Sequence, residues 1–245
     1  KHAGSHDGLG QVYYRKGDLE NAKQEFLQTI TLDSRSTFGY SHLGDALFME
    51  GNFREAYLKY TTAIELNPNA AYTYYRLAWM YLSAKDESFR DPGKALEYAA
   101  TAVGHTDGRN ADYWYAFAET YSANSLPDSA VAVINRAIGL DPNNWEYQSA
   151  LKRFKNKERS SEYVYSLKRG ESYLIHNKIV EAVKELEEAY KGNPDYLPTV
   201  IMLAKACEAQ GNKSAALSKW EQAKKLDKEG KYQKIMDAKI QELKK

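Results

Sequence analysis

The sequence lacks the features that mark several common protein classes. It has one cysteine, Cys207, among 245 residues, which excludes an internal disulfide framework. It has six prolines, no low-complexity tract, and no run of about 18 apolar residues that could span a bilayer. Its net charge of +1 argues against the strongly basic surface of a nucleic-acid-binding protein. We therefore expect a soluble chain with no nucleic-acid partner and no transmembrane segment.

The start of the chain and its cysteine leave the location open. The chain begins with Lys1 rather than Met, and a helical pattern follows within a few residues. We therefore expect a processed or excised piece of a longer protein. A single cysteine fits an oxidising or a reducing compartment. The cytoplasm, the periplasm and a membrane-anchored protein all stay possible.

Charge is distributed unevenly along the chain. Residues 1–144 hold 13 Lys and Arg against 18 Asp and Glu, a net charge of −5, whereas residues 145–245 hold 21 against 15, a net charge of +6. This split could favour head-to-tail self-association or steer partners of opposite charge to the two ends. The alternative is that the lysines simply solvate long helices.

The strongest pattern is an internal repeat. The stretch from residue 8 reads GLGQVYYRKGDLENAKQEFLQTITLDS, and the stretch from residue 42 reads HLGDALFMEGNFREAYLKYTTAIELNP, at an offset of 34 residues. Each copy has a Leu-Gly pair, a glycine that ends a first helix, a small residue early in a second helix, and an aromatic ring four residues later. These residues are Gly17 and Gly51, Ala22 and Ala56, and Phe26 and Tyr60.

The pattern resembles the tetratricopeptide repeat, a pair of antiparallel helices of about 34 residues. Further copies begin near residues 71, 111, 163 and 197, and single amphipathic helices begin near 145 and 231. The third copy has about five extra residues in its turn, within KDESFRDPG. The resemblance implies an all-α fold in which helix-turn-helix repeats form a right-handed superhelix, or α-solenoid. We expect six repeats in two segments, with capping helices.

One interval in the array is irregular. The copy near residue 163 follows the helix near residue 145 after 18 residues, which is half a repeat. We therefore expect residues 3–158 to hold four repeats plus a capping helix, and residues 163–245 to hold two repeats plus a C-terminal capping helix. The hinge is expected near residues 157–162. A single continuous superhelix with one irregular helix is the alternative.

The resemblance also implies a concave groove lined by the first helix of each pair, where partners bind. The stretch AYTYYRLAWMYL, residues 71–82, is apolar around almost its whole circumference, whereas a surface helix needs only one apolar stripe. Its second apolar face is therefore expected to line the groove, together with equivalent positions of neighbouring copies. The predicted partner-binding residues are Tyr14, Phe38, Asp45, Phe48, Tyr72, Tyr75, Trp79, Asp112, Tyr115 and Glu119.

An aromatic and acidic groove predicts a protein or peptide partner. The partner would supply apolar side chains and a basic residue near Asp45, Asp112 or Glu119. Family members that hold acidic chaperone tails use a clamp of Lys, Asn and Arg. Only Arg76 stands where such a clamp would lie, so the resemblance does not extend to that ligand. The alternative for the groove is that its rings pack on one another or on the 85–93 turn, and only stabilise the fold.

The sequence contains no convincing catalytic constellation. The GLG at 8–10 is explained by the repeat, His2 and His6 lie at a chain end, and Cys207 falls at a buried repeat position. We predict no catalytic residue, no metal site and no cofactor, and hence a non-catalytic protein–protein interaction scaffold. Two alternatives stay open: a regulatory or substrate-recruiting repeat arm of a larger multidomain enzyme, and a self-assembling scaffold.

Overall fold

The computed structural model describes residues 2–158, 162–228, 230 and 232–244. These residues form fourteen α-helices and one short 3-10 turn, and no strand occurs among them. The predicted fold class, an all-α helical-repeat solenoid, is therefore confirmed. In the described ranges, a helix with the length and apolar character to cross a bilayer does not occur. The chain divides into two compact units, Lys1–Ser160 and Ser161–Lys245.

Four antiparallel helix pairs and one further helix build the first unit. We call the first helix of each pair its A helix and the second its B helix. Each A helix packs on its own B helix, and from the second pair onward also on the B helix of the preceding pair. The pairs are α1 (Ala3–Arg15) with α2 (Leu19–Leu32), α3 (Thr37–Glu50) with α4 (Phe53–Leu66), α5 (Ala71–Ser83) with α6 (Pro92–Gly104), and α7 (Ala111–Ala123) with α8 (Pro127–Leu140); α9 (Trp145–Lys155) follows.

The second unit repeats this plan with two pairs and a last helix. Val200, Trp220 and Met236, from three different helices, form part of its buried core. The hinge predicted near residues 157–162 includes residues 159–161, which lie outside the described residues. The helices are α10 (Glu162–Ile175) with α11 (Ile179–Gly192), α12 (Leu197–Ala209) with α13 (Lys213–Leu226), and α14 (Gln233–Leu243).

The turn between α3 and α4 shows how the sequence sets the ends of the helices. Gly51 follows α3 in the left-handed conformation, with φ at 84°, which glycine adopts at little cost because it has no Cβ. The next residue, Asn52, accepts a hydrogen bond from the backbone N–H of Glu55 and so caps α4. Gly17 and Asp18 play the same roles before α2. The two glycines therefore stand at the predicted helix ends.

Small and large side chains interlock between the two helices of a pair. A Cβ added at Gly44 on α3 would lie 2.7 Å from the ring of Tyr60 on α4, and one added at Gly10 on α1 would lie 2.5 Å from the ring of Phe26 on α2. Both rings are fully buried. The Leu-Gly pair of the repeat is therefore the place where the A helix makes room for an aromatic ring of its B helix.

The extra residues of the third pair form an ordered turn. A short 3-10 segment, Glu87–Phe89, lies in it. The Phe89 ring packs 5.8 Å from the ring of Phe53 on α4, and the backbone N–H of Asp91 donates to the carbonyl oxygen of Tyr81 at 2.9 Å. The insertion therefore covers one end of α4 and α5.

Candidate partner-binding surface

Five rings from three successive A helices form a continuous series, which we call the ring row. Phe38 stacks on His42 with centroids 5.9 Å apart, and His42 meets the edge of Tyr72 at 5.8 Å. Tyr72 lies 6.5 Å from Tyr75, which stacks on Tyr113 at 4.8 Å. Aromatic residues three or four positions apart share one face of α3 and of α5. The row is continuous because α3, α5 and α7 stack side by side. The predicted residues Phe38, Tyr72 and Tyr75 are thus brought together.

Exposure decreases along the ring row. Phe38 on α3 is 65% exposed, whereas Tyr72 and Tyr75 are half-buried and Tyr113 is buried. Apolar area therefore remains open at the α3 end of the row.

Two other predicted residues, Trp79 and Tyr115, are enclosed by the chain itself. Their ring centroids lie 6.0 Å apart, and Tyr115 also lies 5.3 Å from Tyr147 on α9. Trp79 is only 7% exposed, and the other two rings are buried as well. The expectation that Trp79 and Tyr115 present open faces to a groove is wrong, because α7 and α9 supply rings that cover them. For these two rings the alternative of mutual packing applies.

Asp45 does not present its carboxylate to solvent either. It is buried, and it accepts hydrogen bonds from the hydroxyls of Tyr60 and Tyr72 and from Nε of Arg76, the last at 2.6 Å. The expectation that Asp45 awaits a basic residue of a partner is wrong, since Arg76 on the next A helix already neutralises it. Tyr14, which is half-buried, faces the same group of charges.

Burial and the Asp45 charge govern the proton affinities of this cluster. Burial first, and the Asp45 carboxylate second, raise the pKa of Tyr60 and of Tyr72 well above the usual tyrosine value, and raise the pKa of Tyr14 as well. Burial alone would lower the pKa of Arg76, but Asp45 raises it well above the ordinary value. The three hydroxyls therefore stay neutral, and the Arg76 guanidinium stays charged, at neutral pH.

The guanidinium of Arg76 also lies over the ring of Phe48, 5.9 Å from its centroid. Phe48 is half-buried, so the two side chains form a partly exposed apolar and cationic edge beside the ring row.

The third predicted acid, Glu119, is paired in the same way. It forms a fully buried ion pair with Arg153 on α9, so the expectation that it lines an open groove is wrong. Asp112 on α7 is exposed and accepts a hydrogen bond from the Tyr147 hydroxyl at 2.5 Å. The Tyr115 hydroxyl also donates to Glu146 at 2.9 Å. With the ion pair of Glu119 and the hydrogen bond to Asp112, this contact is the third polar link between α7 and α9.

Sequence reasoning missed the side chains that complete these contacts, namely His42, Tyr113, Tyr147 and Arg153. One signal was present for Arg153, which stands 34 residues after Glu119 and so occupies the same repeat position on α9. An acid and a base at one repeat position of adjacent copies indicate an ion pair between the copies. Asp45 and Arg76, 31 residues apart, follow the same logic less regularly.

Catalytic and metal-binding arrangements are not evident in the described part of the chain. No group of three or more His, Cys, Asp or Glu side chains there could hold a metal ion. Asp7 pairs with His42 at 2.7 Å and accepts from Gln11 at 2.8 Å. Cys207 is buried, and this burial raises the pKa of its thiol, which disfavours the reactive thiolate.

Three tetratricopeptide repeat models match the sequence. One matches residues 37–70, a second matches residues 59–97, and a third matches residues 3–35 and 111–144. Together these matches cover more than half of the chain and include residues of all four pairs of the first unit.

A curated protein and solved structures are also similar. A protein of Schizosaccharomyces pombe described as a DnaJ homolog subfamily C member 7 homolog is 25% identical over 201 residues, or 74% of this chain. The chain spans only 39% of that protein's length. The type IV pilus biogenesis factor PilW has a TM-score of 0.55 at 12% identity, covering 96% of this chain and 98% of its own. PilF of Pseudomonas aeruginosa has a TM-score of 0.55 at 15% identity, covering 96% and 97%. At such identities the structures support the fold alone.

Proposed function

Because the chain belongs to the tetratricopeptide repeat family, we propose that it is a non-catalytic scaffold that binds a partner protein or peptide across the ring row. Proteins of this fold bind other proteins and peptides, but a fold does not specify a site. The observation that supports a site at the ring row is the 65% exposure of Phe38 beside the half-buried Tyr72 and Tyr75.

The partly exposed rings have the properties of binding hot spots. Tyrosine and phenylalanine bring a large contact area at small cost in rotamer entropy. Tyr72 is also fixed in place, since its hydroxyl donates to Asp45. A rigid ring loses little further freedom when a partner covers it, so more of the contact energy appears as affinity.

The partner would present an apolar segment to Phe38, Tyr72 and Tyr75. A basic residue in that segment would pair with Asp112, which stays exposed, and not with Asp45 or Glu119. The proposed partner is therefore still apolar and basic, but its basic residue contacts only Asp112 on α7.

A selected peptide tests the proposal. A random-peptide library is panned against the full chain, and the affinity of the best peptide is measured by fluorescence polarisation. We expect Phe38→Ala and Tyr75→Ala each to weaken binding by about tenfold or more, the range of a hot-spot ring. Leu58→Ala removes a side chain of comparable exposure on α4 and is the matched control. Equal affinity for all three variants would show that the ring row is not the site.

A larger protein is a second candidate context. The chain spans 39% of the length of its Schizosaccharomyces pombe relative, which is the relation expected of a repeat arm. In that case the ring row would recruit a regulator or substrate to a catalytic part elsewhere. A longer reading frame that encodes an enzyme domain would support this context.

A further inference from the structure

The outer face of α1 carries an exposed stripe that lies outside the ring row. Ser5, Leu9, Val12 and Lys16 follow one another at intervals of three or four residues, so they share one face of the helix. All four are exposed, with Leu9 at 42% and Val12 at 46%. We call these four residues the α1 stripe.

The same face is buried on the A helices that follow. One repeat after Leu9 and Val12 stand Leu43 and Ala46 on α3, and both are buried. The equivalents on α5, Leu77 and Met80, are buried too. The exposure of the α1 stripe therefore reflects that no helix of the described residues packs on this face of α1, as α2 packs on α3 and α4 on α5.

A B helix covers this face in the later pairs. The residue one repeat after Ser5 is Gly39, and a Cβ added there would lie 3.0 Å from the Ile30 side chain and 3.1 Å from the Thr29 side chain, both on α2. The α1 stripe thus continues the surface on which each preceding B helix packs. A matching occupant is a helix antiparallel to α1 with an apolar face.

The positive charge at the C-terminal end of α1 indicates which charge a docking helix would carry. At the corresponding end of α3, Glu50 forms an ion pair of 2.8 Å with Lys23, which lies near the start of α2. The residue one repeat before Glu50 is Lys16. Neither Lys16 nor its neighbour Arg15 has an ion pair within the described ranges. A helix that docks on α1 as α2 docks on α3 would meet positive charge where α2 meets negative charge.

We propose that the α1 stripe binds an amphipathic helix of a partner protein, antiparallel to α1, with an acidic residue near its N-terminal end. Gly8, adjacent to the stripe and exposed, has no side chain that would hold a docked helix away from α1. The last helix of a second copy fits poorly, because α14 has no acidic residue in its first turn and carries Lys234 there.

A pair of helical peptides tests the proposal. The probe is a lactam-stapled peptide with the α2 sequence DLENAKQEFLQTITLD, labelled with fluorescein and carrying Lys23→Glu; the control peptide keeps Lys23. Each is titrated with the full chain in low salt. We expect the Lys23→Glu peptide to bind about two- to fivefold tighter than the control peptide, the range of one exposed ion pair.

Protein variants then locate the contact. Lys16→Glu should reverse the preference between the two peptides. Val12→Asp should weaken binding of the Lys23→Glu peptide about tenfold or more, because it places a charge in an apolar contact. Leu58→Asp, on the exposed face of α4, should leave binding unchanged. Phe38→Ala should also leave it unchanged, which separates this site from the ring row.

Three results would overturn the proposal. One is the absence of binding by either peptide, and another is a preference that Lys16→Glu does not alter. The third is a dimer of the chain, seen by sedimentation, that Val12→Asp dissociates, since that result would assign the stripe to a second copy.

Discussion

Glu119 on α7 and Arg153 on α9 form an ion pair in which both side chains are buried from solvent. The pair joins the fourth helix pair to the helix that follows it. A carboxylate and a guanidinium that leave water together stabilise a fold only while both are present, because either one alone is a buried unpaired charge.

Removing one member of this pair should therefore be costly. We expect Glu119→Leu or Arg153→Met to lower the free energy of unfolding by about 3 to 5 kcal/mol. The double variant Glu119→Leu with Arg153→Met should recover much of that loss, because no charge stays buried. Urea denaturation followed by circular dichroism measures all three. Additive losses in the double variant would contradict the account.

Substitutions at Trp79 and Phe38 should differ in their effect on the free energy of unfolding, because Trp79 is enclosed and Phe38 is largely exposed. Trp79 is enclosed, so Trp79→Ala should lower the free energy of unfolding by about 3 to 5 kcal/mol. Phe38→Ala should change it by about 0.5 kcal/mol or less, as expected for a largely exposed side chain. Thermal denaturation of the two variants provides the comparison. A Trp79→Ala variant as stable as the parent chain would mean that this ring is not part of the core.

Two Gly-to-Ala substitutions should change the free energy of unfolding in opposite directions. Gly44→Ala forces a Cβ to within 2.7 Å of the Tyr60 ring, so we expect a loss of about 1 to 3 kcal/mol from overpacking. Gly139→Ala, in α8, meets no atom within 4 Å and should stabilise the chain by up to about 1 kcal/mol through helix propensity. The midpoints of urea denaturation measure both. A neutral Gly44→Ala would show that the close approach of α3 and α4 is not needed.

The lowered pKa of Asp7 should make the free energy of unfolding decrease at acid pH. Burial raises the pKa of Asp7, but hydrogen bonds from His42 and Gln11 and the charge of His42 outweigh it, so the net pKa lies below 3.8. The unfolded chain therefore binds a proton at Asp7 before the folded chain does, and this contribution is present above pH 3.8 and is lost as the pH falls further.

The variant Asp7→Asn isolates that contribution. The free energy of unfolding of the parent chain should fall more steeply than that of Asp7→Asn as the pH decreases below about 4. Measurement of both chains by urea denaturation between about pH 2 and pH 6 covers the range where an aspartate titrates. Parallel curves would contradict a depressed pKa for Asp7.

The sequence predicted the helix pairs well because their determinants are local. Gly51 marks the end of α3, and Gly44 and Tyr60 interlock within one pair, so a single copy of the repeat contains the information. The family matches and the fold confirm that interpretation. The division of the chain into repeats followed from the same residues.

The candidate site was harder to predict because its determinants lie one repeat apart. The sequence suggested that Asp45 and Glu119 were open acids, but Arg76 on α5 and Arg153 on α9 neutralise them. Helical periodicity shows which face of one helix a residue occupies, not which side chain of the next helix reaches it. Trp79 was misplaced for the same reason, since its cover comes from Tyr115.

Photo-crosslinking tests the proposed binding surface most directly. The photoreactive residue p-benzoylphenylalanine replaces Phe38 in one sample and Leu58 in another, and each full chain is irradiated with the peptide selected from the library. The account predicts a covalent adduct at position 38 and none at position 58. An adduct at position 58 alone would contradict the assignment of the ring row as the place where a partner binds.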